Sequence, residues 1–307
     1  MAYTGASTPN IGTTSADTLS RDIHVDTLMA YQRKTLFLDK LYTQTIQGGT
    51  GAQFTIEGKE DIDSTGTGTY AAGSQVTITA GTQDDKIINL DRPTYVARRI
   101  DKFDEAVANY DVIAMQVRQI GTKLANVIDR KCSAAIEAAS LATGLVGNGN
   151  GHVVVNTSLE GGVAAATTSE GLGDELCESI FMAAAKIREA DDMGPIYAAV
   201  SPTSYSYIVQ SKKAINADYT SANGGYDSGT VAKVGGVIVF ETNNLPTTAG
   251  LKGLVFCDQA AGVVKLWDVN TKITEQADFL DAKLITAYFS NGIASLRPQC
   301  AVSIKNV

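Results

Sequence analysis

The sequence has few of the residues from which active sites and metal centres are usually built. It holds two histidines, four cysteines and one tryptophan in 307 residues. Cys132, Cys177, Cys257 and Cys300 are scattered, and no Cys-x-x-Cys occurs. That argues against a zinc ribbon or a dithiol redox centre, and small free thiols packed in the interior are expected instead. His24 lies in a polar stretch and His152 in a glycine-rich one, neither at a spacing that makes a triad or a metal site. Asp61 with Asp63, Asp84 with Asp85 and Asp191 with Asp192 sit beside turn residues, where solvated carboxylates are expected rather than acid–base pairs. The phosphate-loop pattern ending in Gly-Lys-Ser/Thr is missing, and Gly66-x-Gly68 lacks the third glycine of a dinucleotide fingerprint. Trp267 alternates with apolar neighbours and is expected in the core. No catalytic, cofactor-binding or metal residue is assigned, and no cofactor is expected.

Positive charge is also short. Lys and Arg number 25 against 33 Asp and Glu, a net charge of −8. Tight, non-specific binding to nucleic acid needs a basic face, so the composition argues against it. No apolar run is long enough to span a bilayer, and no secretory signal opens the chain. A soluble protein made in a cytoplasm, with no membrane partner, is the expectation.

What is present is a long helical pattern. From Asp111 to Ala142, the residues Ile113, Val117, Ile120, Leu124, Val127, Ile128, Ala135 and Ala138 recur at helical steps. Asp104 and Asp111 are candidate N-caps, and Gly144 is a candidate stop. About thirty residues make a rod about 45 Å long.

Before the rod the chain is polar. Met1 to Ser20 is rich in Thr, Ser, Gly and Ala and reads as extended or disordered in an isolated subunit. Thr27 to Leu41 regains apolar residues and suggests a short helix or an anchoring strand. Phe54 with Ile56 and Val76 with Ile78 alternate with polar residues, as in two strands, and Asp61 to Gly73 between them reads as a turn or flexible tip. Only six large apolar side chains fall between Gln47 and Lys86. Their burial does not offset the entropy of fixing about forty residues. The hairpin is therefore expected to project and to order fully against a neighbour. Ile87 to Ile100 continues as strand, with Pro93 marking a break or edge.

Beyond Thr167, helices and strands alternate. Asp174 to Ala190 reads as helix, with Leu176, Ile180, Phe181, Ala184 and Ile187 on one side. Ile196 to Val200 reads as a buried strand, and Pro202 opens a short helix. Asn216 to Thr230 reads as a surface loop. Val237 to Glu241, Leu254 to Cys257, Val263 to Trp267 and Thr271 to Glu275 read as strands, and Lys283 to Ile304 is strand-like. The class is α+β.

A polar arm, a projecting hairpin, a long rod and a compact sheet region belong to subunits that interlock. Their order resembles the major capsid proteins of tailed bacteriophages, the Hong Kong 97-type fold, and among them the capsid protein of short-tailed podoviruses of the autographivirus (T-odd) kind. The residues that carry the resemblance are Gly49-x-x-Ala52-Gln53-Phe54-x-x-x-Gly58, Asp104-Glu105-Ala106, Asn109-x-Asp111-Val112, Ser201-Pro202-x-Ser204-Tyr205, Gly235-Gly236-Val237-x-Val239, Asn244-Leu245-Pro246 and Gly292-x-x-x-Leu296-Arg297-Pro298, leading to Ala301-Val302. They span most of the chain from Gly49 onward.

The resemblance implies an N-terminal arm over 1–46 and an extended loop with its following strand over 47–100. It implies a peripheral domain with a spine helix over 101–170, an axial domain over 171–275 and a return strand over 276–307. It implies a coat protein that assembles with itself into hexamers and pentamers of an icosahedral head. Its further partners are a scaffolding protein, a portal, minor or decoration capsid proteins, and packaged double-stranded DNA held weakly. Some relatives cross-link a lysine to an asparagine. Lys59 is the only lysine at the hairpin tip, but the podovirus type is not expected to cross-link. Candidate contacts between subunits are Phe54, Lys59, Glu60, Asp61, Asp63, Tyr70, Arg92, Arg98, Arg99 and Asp101. The alternatives are a nanocompartment shell of the encapsulin type, and a cytoplasmic α/β enzyme with an unrecognised site.

Overall fold

The computed structural model describes residues 26–31, 35–46, 53–57, 72, 85–107, 111–143, 150–155, 169–189, 194–211, 233–276 and 282–305. In chain order the elements are α1 (26–31), β1 (Tyr42–Thr45), β2 (Gln53–Glu57), β3 (Asp85–Asn89), β4 (Thr94–Ile100), α2 (Lys102–Val107), α3 (Val112–Leu141), β5 (His152–Val155), α4 (Ser169–Glu189), β6 (Tyr197–Val200), α5 (Pro202–Gln210), β7 (Lys233–Val234), β8 (Val237–Glu241), β9 (Leu251–Phe256), β10 (Ala261–Gln276), β11 (Ala282–Ser295) and β12 (Ala301–Lys305). Short 3-10 turns at Leu38–Lys40 and Pro298–Cys300 precede β1 and β12.

α3 is the helix that the apolar periodicity foretells. Its start is fixed by Asp111, whose Oδ1 accepts the Ala114 N–H at 3.0 Å. Asp104, the other candidate cap, lies inside α2. Val117, Ile120, Leu124, Ile128, Cys132, Ile136 and Ala139 are buried. Ala138, expected on this stripe, is exposed. The stripe passes through Ile136 and Ala139, and Ala138 falls on the far side of the turn. Gly144 lies outside the described residues.

The described chain divides into two units, and α3 contributes residues to both. The first takes in the described residues up to Thr35, then Asp91–Ile128 and Lys265–Asn291. Here β4 pairs antiparallel with β11, from Thr94 opposite Phe289 to Ile100 opposite Lys283. Both belong to a four-stranded sheet of order β1-β10-β11-β4. Along β11, Ile285, Ala287 and Phe289 are buried, while Leu284, Thr286 and Tyr288 between them are partly exposed. That is the alternation of a sheet covered on one face. α1 lies directly on α3 at Gly121, and the ring of Tyr31 from α1 meets Phe289 at 6.4 Å.

The second unit takes in Leu36–Leu90, Asp129–Val264 and Gly292–Val307. Its centre is a six-stranded mixed sheet of order β5-β12-β9-β6-β8-β7. Registers place Val302, Val255, Ala198 and Val239 in one row across four strands. This face packs with Leu176, Ile180, Ala183, Ala184 and Ile187 of α4 and Ile208 of α5. Ser201 caps α5, its Oγ accepting the Ser204 N–H at 3.2 Å ahead of Pro202 in the first turn. The opposite face is aromatic. Phe37 is fully buried there, stacked on Phe256 at 5.7 Å and edge-on to Phe240 at 5.4 Å. Burying such a ring contributes about 2–3 kcal/mol. A backbone bond from Tyr42 N to the Asp258 carbonyl, at 2.8 Å, continues the attachment.

All four cysteines are buried free thiols, as their scatter suggests. Several expectations need correction. β2 pairs with β3, Phe54 opposite Ile88, so the partner of the first hairpin arm lies at 85–89. Val76 and Ile78, expected to form the second arm, lie outside the described residues. The stretch from Ile87 to Ile100 is two strands parted at Leu90–Pro93. The two strands expected near Trp267 and Thr271 are one, β10, because no Gly or Pro interrupts Lys265–Gln276. The C-terminal stretch is also divided, with β11 in the four-stranded sheet and β12 between β5 and β9 in the other. His152 opens β5 and is half-buried. Burial pushes its imidazole below the usual range, Lys186 adds to this and Glu189 opposes it. Phe181 is exposed on α4, its ring lying over Gly235 of the β7–β8 turn. Gly235 and Gly236 both have positive φ, the requirement of a two-residue hairpin loop.

Candidate assembly surface

The residues expected to meet neighbouring subunits fall into separate places. Lys59, Glu60, Asp61, Asp63 and Tyr70 lie outside the described residues, as do residues 1–25 and 32–34 of the N-terminal arm and the loop at Asn216 to Thr230. Phe54 sits on β2, and the structure describes only its strand register. Arg92, Arg98, Arg99 and Asp101 are all exposed in the first unit. Arg99 and Asp101 are brought together, Nε to Oδ1 at 3.5 Å. Both are well exposed, so this pair contributes under about 1 kcal/mol to the subunit itself. Arg98 stands opposite Ile285 and Arg99 opposite Leu284, so the two project from opposite faces of β4.

Beside these charges lies a feature that sequence reasoning missed. Tyr95 on β4 stands directly opposite Tyr288 on β11, on the face of Arg99 and Leu284. Tyr288 makes an edge-on contact with Trp267 of β10, ring centres 6.3 Å apart. Tyr95 is 70% exposed and Trp267 47%. Trp267 is thus a surface residue, contrary to the expectation of a core position. Its own strand carried no such signal, since Val269, the next residue on the same face, is buried and the polar residues Asp268, Asn270, Lys272 and Thr274 lie on the other face. Phe103 and Val107, one helical turn apart on α2, are 75% and 65% exposed. Large aromatics with arginine beside them are what buried protein contacts are made of.

The six-stranded sheet with its helices, the four-stranded sheet and the thirty-residue α3 define a class. They are the parts of a shell-forming subunit of the Hong Kong 97-type fold, of mixed α+β class. Comparison with solved structures places the chain among them. It is similar to the capsid protein of the cyanophage P-SCSP1u, with 28% identity, a TM-score of 0.72, and coverage of 89% of this chain and 88% of that one. The mature capsid of bacteriophage PhiM1 shares the fold at 16% identity and a TM-score of 0.70, over 89% and 87% of the two chains. So does a virus-like particle from Pyrococcus furiosus, at 14% identity and a TM-score of 0.57, over 93% and 98%. No curated protein sequence matches.

Residues 67–253 match the family model described as Gp10A-like, major capsid protein. The chain belongs to that family. It is a major capsid protein, a structural component of the icosahedral head of a tailed phage, and not an enzyme. The enzyme alternative is thereby set aside.

Proposed function

We propose that this subunit tiles the head of a short-tailed phage of the autographivirus kind, as hexamers and pentamers built around a scaffolding protein and joined to a portal. The 28% identity to a cyanophage capsid chain over nearly the full length supports a tailed-phage head over a nanocompartment. In this reading 1–46 is the arm, 47–100 the extended loop with its strand, 101–170 and 276–307 the peripheral parts, and 171–275 the axial domain. Minor or decoration proteins are further partners, and packaged DNA meets the acidic wall only weakly.

The observation that carries the reading is the exposed aromatic row of Tyr95, Tyr288 and Trp267, next to Arg99 and Asp101. A subunit that worked alone has no use for such a face. In a shell it meets another copy. Phe54, Lys59, Glu60, Asp61, Asp63, Tyr70, Arg92 and Arg98 are assigned to the same role. The acidic hairpin and the arginine-bearing strand β4 are complementary in charge. Deleting residues 61–73 tests the assignment. The deletion is expected to give a soluble subunit that does not close shells when expressed with scaffolding protein. Normal particles from that deletion would refute the role given to the hairpin.

A further inference from the structure

Asp129 is fully buried on α3, yet it carries an ionisable group. Among the described residues no cation forms an ion pair with it. Its Oδ1 accepts the backbone N–H groups of Leu36 and Phe37 at 3.2 and 3.3 Å, and its Oδ2 accepts that of Leu36 at 3.2 Å. The Asn244 side chain adds a hydrogen bond. Asn244 is itself held, its carbonyl accepting Ser133 Oγ at 2.6 Å and its N–H donating to Thr242 Oγ1 at 3.1 Å.

The charged side chain that faces Asp129 from residues 35–46 is Lys40, and Asp39 faces Lys40 in turn. Lys40 Nζ donates to the Leu36 carbonyl at 2.6 Å and stands 4.6 Å from the centre of the Phe240 ring. α3 contributes the neutral Ser133 hydroxyl, and the segment after β8 the neutral Asn244 amide. β8 and β9 contribute the rings of Phe240 and Phe256 around Phe37. One carboxyl group thus fastens the chain at the start of its attachment to the second unit.

We propose that Asp129 is a pH-sensitive latch on residues 35–40, firmest when its carboxyl group holds a proton and slackening as that proton leaves. The physical cause is the cost of burying a carboxylate that Lys40 faces but does not pair with in a salt bridge. Desolvation raises its pKa to about 6, against the lowering by Leu36, Phe37, Asn244 and Lys40. When the segment lifts away, water returns and the carboxyl recovers its ordinary acidity. The closed form therefore binds the proton more tightly than the open form. Latching is full below the ordinary carboxylate value near about 4. It is lost as pH rises through about 6. A difference of about two pKa units corresponds to about a hundred-fold in the opening equilibrium.

Amide exchange at Leu36 and Phe37 reads the latch, on the full chain between about pH 4 and 8 and corrected for intrinsic rates. Protection is expected to fall by up to about a hundred-fold as pH rises from about 4, with a midpoint on a logarithmic scale near about 5 and a plateau above about 6. Asp129→Asn is expected to hold protection constant across the range. Lys40→Met removes the cation that favours the anion, and is expected to move the midpoint upward. Flat protection in the unaltered chain overturns the proposal, and so does an undiminished fall in Asp129→Asn. If Asp129→Asn does not fold, Lys40→Met decides, because a midpoint that stays or moves down overturns it.

Discussion

Gly121 of α3 and Ala30 of α1 are so close that a methyl group added at Gly121 would lie 2.8 Å from the Ala30 Cβ. The same methyl would lie 2.8 Å from the Thr27 carbonyl oxygen. Glycine inside a helix ordinarily costs about 1 kcal/mol relative to alanine. Here the missing side chain is what lets one helix lie on the other. Gly121→Ala is expected to destabilise the subunit by about 1–3 kcal/mol through overpacking, despite its better helix propensity. Urea unfolding of the unassembled subunit measures this. A variant more stable than the parent would show that α1 is not seated on α3.

The aromatic row makes a different kind of prediction. Tyr95 is mostly exposed, so Tyr95→Ala is expected to change subunit stability by no more than about 0.5 kcal/mol. Trp267→Ala also loses its edge-on contact with Tyr288 and is expected to cost about 1 kcal/mol more. Both are expected to lower the yield of closed shells sharply in sedimentation assays. Ile180→Ala is the control, since it empties part of the core under α4 and is expected to cost about 2–5 kcal/mol in the subunit itself. Full shell yield from the double variant Tyr95→Ala, Trp267→Ala would remove the row from the interface.

Glu137 and Lys305 test the cost of a stranded charge. Glu137 is buried on α3, with Oε2 accepting from Thr248 Oγ1 at 2.9 Å and Oε1 lying 3.6 Å from Lys305 Nζ. That Oε1 has no hydrogen-bond partner among the described residues. Lys305→Met is expected to cost about 3 kcal/mol by leaving the carboxylate unpaired. Adding Glu137→Leu is expected to recover much of that loss, because neither charge then remains. Unfolding midpoints of the two single variants and the pair check this. A simply additive double variant would contradict it.

Elements with a strong local pattern were legible in the sequence. α3 is bounded by the Asp111 cap and a stripe at helical spacing, and β8 by a glycine pair followed by apolar residues. α5 is announced by Ser201 and Pro202. What depends on distant partners was not legible. Nothing near Phe54 says that its strand pairs with residues 85–89, or near Ala301 that β12 lies between β5 and β9. The length of β10 and the exposure of Trp267 follow from neighbours in the sheet, which periodicity does not name. Asp129 could have been noticed. It falls with Ala125, Cys132 and Ile136 at helical steps on the buried side, an acidic residue where the pattern demands an apolar one. Its partners, Leu36 and Phe37, are more than ninety residues away and only the fold brings them to it.

The central claim is that this chain is completed by copies of itself. Electron microscopy of the full chain, expressed together with its scaffolding protein, tests that most directly. Closed shells of uniform diameter are the expected result. A population of single subunits or small oligomers, with the arm and hairpin already ordered in each, would contradict it.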